Sequence, residues 1–394
     1  MKHLLAALLL LALVAPATSR AQDWKKKVDQ ERVNNAVKKG TDFMLQMAGG
    51  ATGKFPHPDL QKAGQTVEFR YTELVYLTLY HGGVDPNDKQ MKGLLKIILS
   101  TPVERTYLAA LQAMVLQLID PWKYQDRLAH IAQFLVDNQC ANGQWSYGEA
   151  LADQPPPPRK EVATGGTGKD GERDSDPTAG RGNKPIKATL EQITIKRKEK
   201  KGPETGDNSN SQYAALGIRA CHDAHVRLPK ETIAAAQKWW ESTQGKDGGW
   251  GYRKDEASYA SMTAGGIGAL AIYNFVGGGA ANGGTSIPKG IGWLNTNYSV
   301  SENAKYQYAK VHYFYFMYAL ERAGVFLAVD YIGKHDWYAD GANRLLEDQK
   351  NNGSWGNDMM LDTCYAILFL RRASRPLRPV ATSVERRPTP EDDK

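Results

Sequence analysis

The sequence predicts an all-α chain whose paired helices close into an α6/α6 toroid, a barrel of helices. Three observations carry that prediction. A Gln-x-x-x-Gly-x-Trp segment occurs three times, as QCANGQW at 139–145, QGKDGGW at 244–250 and QKNNGSW at 349–355, and successive Gln residues stand 105 apart. A fixed period of this kind marks repeated supersecondary units. Each copy follows an amphipathic helical pattern and precedes a more apolar one, so outer and inner helices alternate. The chain has 394 residues, 41% of them apolar, which is material for one large core or two ordinary ones.

The elements follow in order from that alternation. Amphipathic patterns place outer helices near 31–47, 87–99, 123–138, 230–243, 287–296 and 337–348. Patterns rich in Ala, Leu and Ile place inner helices near 71–82, 105–119, 210–224, 260–274, 310–323 and 361–371. Asn-Gly or Asp-Gly inside each repeated segment supplies the turn between the two kinds of helix. Six pairs are the number that closes such a barrel, and closure buries the inner helices without leaving a terminal repeat uncovered.

Three stretches fall outside this scheme. Residues 1–21 carry Lys2, an apolar run over 4–14 and Ser19-Arg20-Ala21, the pattern of a secretory signal peptide cleaved before Gln22. The run is shorter than the roughly 18 residues that cross a bilayer, so a secreted or periplasmic protein without a membrane span is expected. Residues 22–149 and 207–373 then form the first and second halves of the toroid. Between them, 150–206 holds four prolines at 155–158, Gly165-Gly166 and alternating charges, with too little apolar surface to offset ordering entropy. It is expected to be a disordered insertion, and 374–394 a disordered tail.

Charge and cysteine content narrow the function classes. Part of the net charge of +7 sits in the basic run 196–201, which reads either as solvated linker charge or as a patch for an anionic partner. No nucleic acid is expected as partner of an exported chain. Three cysteines, Cys140, Cys221 and Cys364, cannot form a closed disulfide framework. Cys221, His222 and His225 share about one helical turn but lack a fourth ligand, so no metal is expected. Gly277-Gly278-Gly279, Gly53-Lys54 and Gly168-Lys169 complete no nucleotide fingerprint, so no cofactor is expected either.

The repeated segment resembles the QW motif of squalene cyclases, whose terpene cyclase-like α/α-toroid repeat superfamily also includes protein prenyltransferase β-subunits. The resemblance covers nearly all of the chain after residue 21. It implies the toroid, with the motif joining the ends of neighbouring helices. Gly206-Asp207-Asn208-Ser209-Asn210-Ser211-Gln212, the stretch 313–324 and His335-Asp336-Trp337-Tyr338 are similar to secreted bacterial members that carry these repeats. The chemistry-bearing motifs depart from the pattern. The Asp-x-Asp-Asp acid of squalene-hopene cyclases and the Gly-Cys-Gly-Glu-Gln thioester sequence are absent. The Asp-Cys-Thr of oxidosqualene cyclases appears in altered order as Asp362-Thr363-Cys364, and the Asp-x-Cys spacing of prenyltransferase zinc ligands stands there without its surrounding motif.

Superposing the inner-helix starts aligns Asn210, Met262, His312 and Asp362, and in the next column Ser211, Thr263, Tyr313 and Thr363, with Thr72 and Thr106 as equivalents. A hydroxyl thus recurs at all six starts. On one reading these residues cap orphan backbone amides. On the other, six helix N-termini share a pole, and Asn210, Ser211, Thr263, Tyr313 and Thr363 bind an anionic or polyhydroxyl ligand there. Asp362 and His312, one pair apart, form a candidate acid–base pair if the carboxyl sits in an apolar cavity. Capping by Asp362 and packing by His312 is the alternative. Tyr306, Tyr308, Tyr313, Phe314, Tyr315, Phe316 and Tyr318 make a dense ring stripe, either core or a surface for carbocations or sugars.

The function expected is a toroid that presents a central pocket to an apolar, isoprenoid-like or peptide ligand, without the known catalytic motifs. The alternative is an enzyme. It would be either of isoprenoid cyclisation type with Asp362 as general acid or, by fold analogy, a polysaccharide lyase or hydrolase.

Overall fold

The computed structural model describes residues 28–49, 55–56, 68–69, 72–160, 187–196, 198–378 and 383–385. The expected signal peptide lies outside them. Twelve helices are present among the described residues: α1 (Gln30–Gly49), α2 (Thr72–His81), α3 (Lys89–Ser100), α4 (Thr106–Ile119), α5 (Gln125–Asp137), α6 (Asn208–Asp223), α7 (Lys230–Ser242), α8 (Ala260–Val276), α9 (Ser286–Thr296), α10 (Tyr313–Leu327), α11 (Trp337–Asp348) and α12 (Met359–Leu370). The even-numbered helices each pack against the next, and α12 packs against α2, which closes an inner ring of six. The odd-numbered helices pack on its outside. No described helix is long and apolar enough to cross a membrane.

Three of the helix starts have a local cause. Asp207 caps α6, accepting from the Asn210 N–H at 2.8 Å, and so starts the helix two residues before its apolar pattern. Asp358 caps α12 in the same way through Leu361. Helix α10 begins at Tyr313, later than periodicity suggests, because His312 takes up a left-handed conformation (φ 60°) at the end of an irregular loop.

Short strand pairs tie the loops. β1 (Phe55–Pro56) and β2 (Glu68–Phe69) pair antiparallel, as do β3 (Lys187–Thr189) with β8 (Ser383–Glu385) and β6 (Tyr331–Ile332) with β7 (His335–Asp336). β4 (Ile193–Thr194) lies parallel to β5 (Val226–Arg227).

The described parts of 150–206 are held to the toroid rather than loose. Arg159 forms a bidentate ion pair with Asp126, Leu190 and Ile195 are buried, and the backbone of Glu199 and Lys200 donates to Asp137. Composition averaged over the segment conceals these few anchoring residues. The start of the tail also contacts the toroid. Ser374 bonds Glu321, and Arg219 donates to the carbonyls of Arg375 and Pro376. The rest of both stretches lies outside the described residues.

Candidate binding site at the toroid axis

The three QW segments do the same job three times. Each Trp is buried, and its indole N–H donates to the carbonyl ten residues earlier, on the outer helix: Trp145 to Leu135, Trp250 to Trp240 and Trp355 to Leu345, at 2.7, 2.8 and 2.7 Å. Each Gln donates both to the Gly of its own turn and to the next outer helix, at Thr232, Ser286 and Ala36. The last of these carries the third repeat back to α1, so it closes the ring. The Gly residues need a conformation side chains avoid, with φ of 93°, 90° and 89° at Gly143, Gly248 and Gly353. A Cβ there would also strike the carbonyls of Ala235, Lys289 and Lys39 on that next helix.

The hydroxyl column belongs to the same device. Ser211, Thr263 and Thr363 accept the backbone N–H of Trp145, Trp250 and Trp355 at 3.0, 3.1 and 2.9 Å, and all three are buried. Thr106 instead donates to Ser146. Asn210 is bonded through both its backbone and its side chain to Asp207, and the Tyr313 hydroxyl donates to Val300. The hydroxyls thus tie the turns and loops to the inner-helix starts.

The axis is built from other residues. The hydroxyls of Tyr107 on α4 and Tyr365 on α12 meet at 2.9 Å, and those of Tyr213 on α6 and Tyr365 at 3.4 Å. Ser209 on α6 reaches the Tyr315 hydroxyl on α10 at 3.0 Å, and the Gln212 amide donates to that hydroxyl at 2.6 Å. Second meets sixth and third meets fifth, so these contacts cross the ring. The fourth inner helix makes room. Gly265 stands where a Cβ would fall 2.5 Å from the Gln212 amide oxygen. Burial pushes the phenols of Tyr107, Tyr315 and Tyr365 well above their ordinary range, so they remain protonated donors.

A continuous series of ring contacts leads outward from this cluster. Tyr213 lies tilted against Tyr107 (centroids 4.2 Å) and stacks near Tyr315 (6.1 Å), Tyr315 meets His312 (6.4 Å), and His312 meets Tyr306 (6.0 Å). Tyr306 touches Tyr259 and Tyr308, and Tyr308 is 60% exposed. The path ends at the pole where the inner helices begin.

Asp362 lies in the first turn of α12, and His312 stands at the N-cap of α10. The Asp362 carboxylate accepts from the Asp358 N–H at 3.1 Å, and with Asp358 capping the same turn the two form a reciprocal pair at the start of α12. Burial, then the neighbouring Asp358 charge, raises its pKa to about 7. His312 is exposed and lies against the rings of Tyr306 and Tyr315.

No protein family's sequence profile matches the chain, and no curated protein matches it by sequence. Solved structures do. The type II terpene cyclase MstE from Scytonema, as a variant in complex with its substrate geranylgeranyl dihydroxybenzoate, superposes with a TM-score of 0.51 at 16% identity, covering 89% of this chain and 98% of the cyclase. Another variant, in complex with the product merosterolic acid A, gives the same TM-score and coverage at 15% identity. This chain has a terpene cyclase-like fold.

Within this terpene cyclase-like toroid, the residues that sequence reasoning missed are Tyr107, Tyr213, Tyr365, Gln212 and Arg322. A signal for Tyr213 and Tyr365 existed two residues beyond the hydroxyl column. Ser211, Tyr313 and Thr363 are followed at that spacing by Tyr213, Tyr315 and Tyr365, and Thr263 by Gly265. On α10, Tyr315, Tyr318 and Arg322 continue down one helix face. The Cys221, His222 and His225 turn holds no metal-like set among the described residues. The Cys221 thiol is buried and directed at the Leu128 carbonyl, and burial pushes its pKa up.

Proposed function

We propose that this chain is an exported toroid that binds an apolar, isoprenoid-like ligand along the aromatic path between its axis and its inner-helix pole. The observation that carries this reading is the unbroken series of rings from Tyr213 through Tyr315 and His312 to Tyr306 and Tyr308. Ring faces offer large apolar area in fixed orientation, which suits an unsaturated hydrocarbon. The likeness of fold to a cyclase solved with a geranylgeranyl substrate supports the same class of ligand. Titration calorimetry with farnesol and geranylgeraniol tests it. Binding to the parent protein and a loss of about tenfold or more in Tyr315→Ala support the reading, a single lost ring contact together with its buried area being worth about 1.4 kcal/mol or more. No heat at either alcohol overturns it.

One observation favours a catalytic reading. Asp362, at an inner-helix start, has a pKa raised by burial to about 7, the range in which a carboxylic acid can give up a proton in a reaction near neutrality. Under that reading a polyene would be consumed and a cyclic product formed, and Asp362→Asn would abolish turnover while leaving binding intact. Unchanged turnover in the variant would remove Asp362 from the chemistry.

A further inference from the structure

Arg322 lies nine residues into α10, about 13 Å along the axis from the helix start. Helical side chains lean toward the N-terminus of their helix, and this guanidinium reaches back to the axis, where Nη2 donates to the Gln212 amide oxygen at 2.8 Å. The residue is 3% exposed. Its guanidinium carbon lies 4.2 Å from the ring centre of Tyr318 and 5.4 Å from that of Tyr213. Nη1 is buried and has no hydrogen-bond partner. Glu321, its neighbour in sequence, acts on it through its charge, while its two carboxylate oxygens accept from the N–H and hydroxyl of Ser374.

A guanidinium is costly to bury unless an anion meets it. Here ring faces, one amide oxygen and the field of Glu321 take up part of the charge, and one NH2 group is left over. The phenols of Tyr107, Tyr213 and Tyr365 gather in the same cluster, and Tyr213 borders the guanidinium directly. A planar fork with a spare donor matches the two oxygens of a carboxylate or phosphate.

We propose that Arg322, with Gln212 and the axial phenols, recognises a compact oxyanion, the carboxylate or phosphate head of the ligand whose apolar part lies against the rings nearer the pole. The inference deepens, and rests on, the reading that the axial rings hold an apolar ligand. It divides the site into two zones, an anionic subsite at Arg322 and an apolar one from Tyr315 to Tyr306.

The test compares farnesol, farnesoic acid and farnesyl phosphate, with butyrate and inorganic phosphate as anions without the tail. Calorimetry is run on the parent protein, Arg322→Met and the charge-keeping Arg322→Lys, and the guanidinium resonances of Arg322 are followed by NMR in the parent protein. The acid or the phosphate is expected to bind at least about tenfold tighter than the alcohol, as one charge-assisted hydrogen bond gives. Arg322→Met should erase that preference and Arg322→Lys retain part of it. Equal affinity for alcohol, acid and phosphate overturns the anionic subsite and leaves the apolar reading standing. Anions that shift the Arg322 resonances while no farnesyl compound binds support the subsite and overturn the apolar reading. Arg322 resonances unmoved by every anion overturn the subsite without reliance on a variant that has to fold. If farnesoic acid binds and farnesyl phosphate does not, the head group is a carboxylate, and the reverse result assigns a phosphate.

Discussion

Replacing Thr263 with Val asks whether the hydroxyl column holds the fold or the ligand. Thr263 Oγ1 accepts the Trp250 backbone N–H at 3.1 Å, with both residues buried. Val keeps the branched shape and the stiff side chain, so packing and helix propensity change little. The N–H is then left buried without an acceptor, a loss worth about 1–3 kcal/mol. For roughly 300 ordered residues at about 2.1 cal/mol/K each, 1 kcal/mol corresponds to roughly 1.5 °C, so the melting temperature should fall by about 1.5–5 °C. Thermal unfolding followed by circular dichroism measures this, with Thr296→Val on the exposed face of α9 as a control expected to change by less than about 1 °C. A Thr263→Val protein that melts with the parent and loses affinity for farnesol would refute the structural assignment, because the hydroxyl would then be spent on ligand rather than on Trp250.

Gly248→Ala should destabilise more than an ordinary surface change, by at least about 1–2 kcal/mol for the left-handed conformation alone, with the Lys289 carbonyl 2.8 Å from the new Cβ adding to it; unfolding in urea reads the loss. Asp362 should make the fold less stable as pH rises. Its pKa is raised from 3.8 to about 7 in the folded chain, so the native state holds a proton that the unfolded state has released, and the stabilisation present in full below about pH 4 is gone above about pH 7. Asp362→Asn should flatten urea midpoints across that window, leaving the slope that Glu321 contributes with the same sign, its pKa also being pushed up to about 7 by burial; an unchanged slope would mean the carboxyl is not buried as described. Glu321→Gln should reduce that remaining slope, and should loosen 374–376, seen as faster amide exchange at Ser374.

Much of the fold was legible because the toroid is a repeat. Gln139, Gln244 and Gln349 with Trp145, Trp250 and Trp355 fixed the register, and the alternation of amphipathic with apolar helices supplied the rest. The α10 start was misplaced by about three residues because His312 adopts a positive φ that no periodicity announces. The axial site was harder to see. Polar residues at helix starts, such as Ser211 and Thr363, look alike whether they hold a Trp N–H or a ligand. That Tyr107, Tyr213 and Tyr365 meet was not legible, because theirs is a contact across the ring over long sequence separations. Leu190, Ile195 and Arg159 anchored segments that average composition had marked as disordered.

The most direct measurement of the account is the position of a bound isoprenoid. In the parent protein saturated with geranylgeraniol, nuclear Overhauser contacts between the isoprenoid methyl groups and the ring protons of Tyr213, Tyr315 and Tyr306 are predicted, with the ligand running from the axis toward the inner-helix pole. Contacts confined to other surfaces of the toroid, or an absence of contacts at saturating ligand, would contradict it.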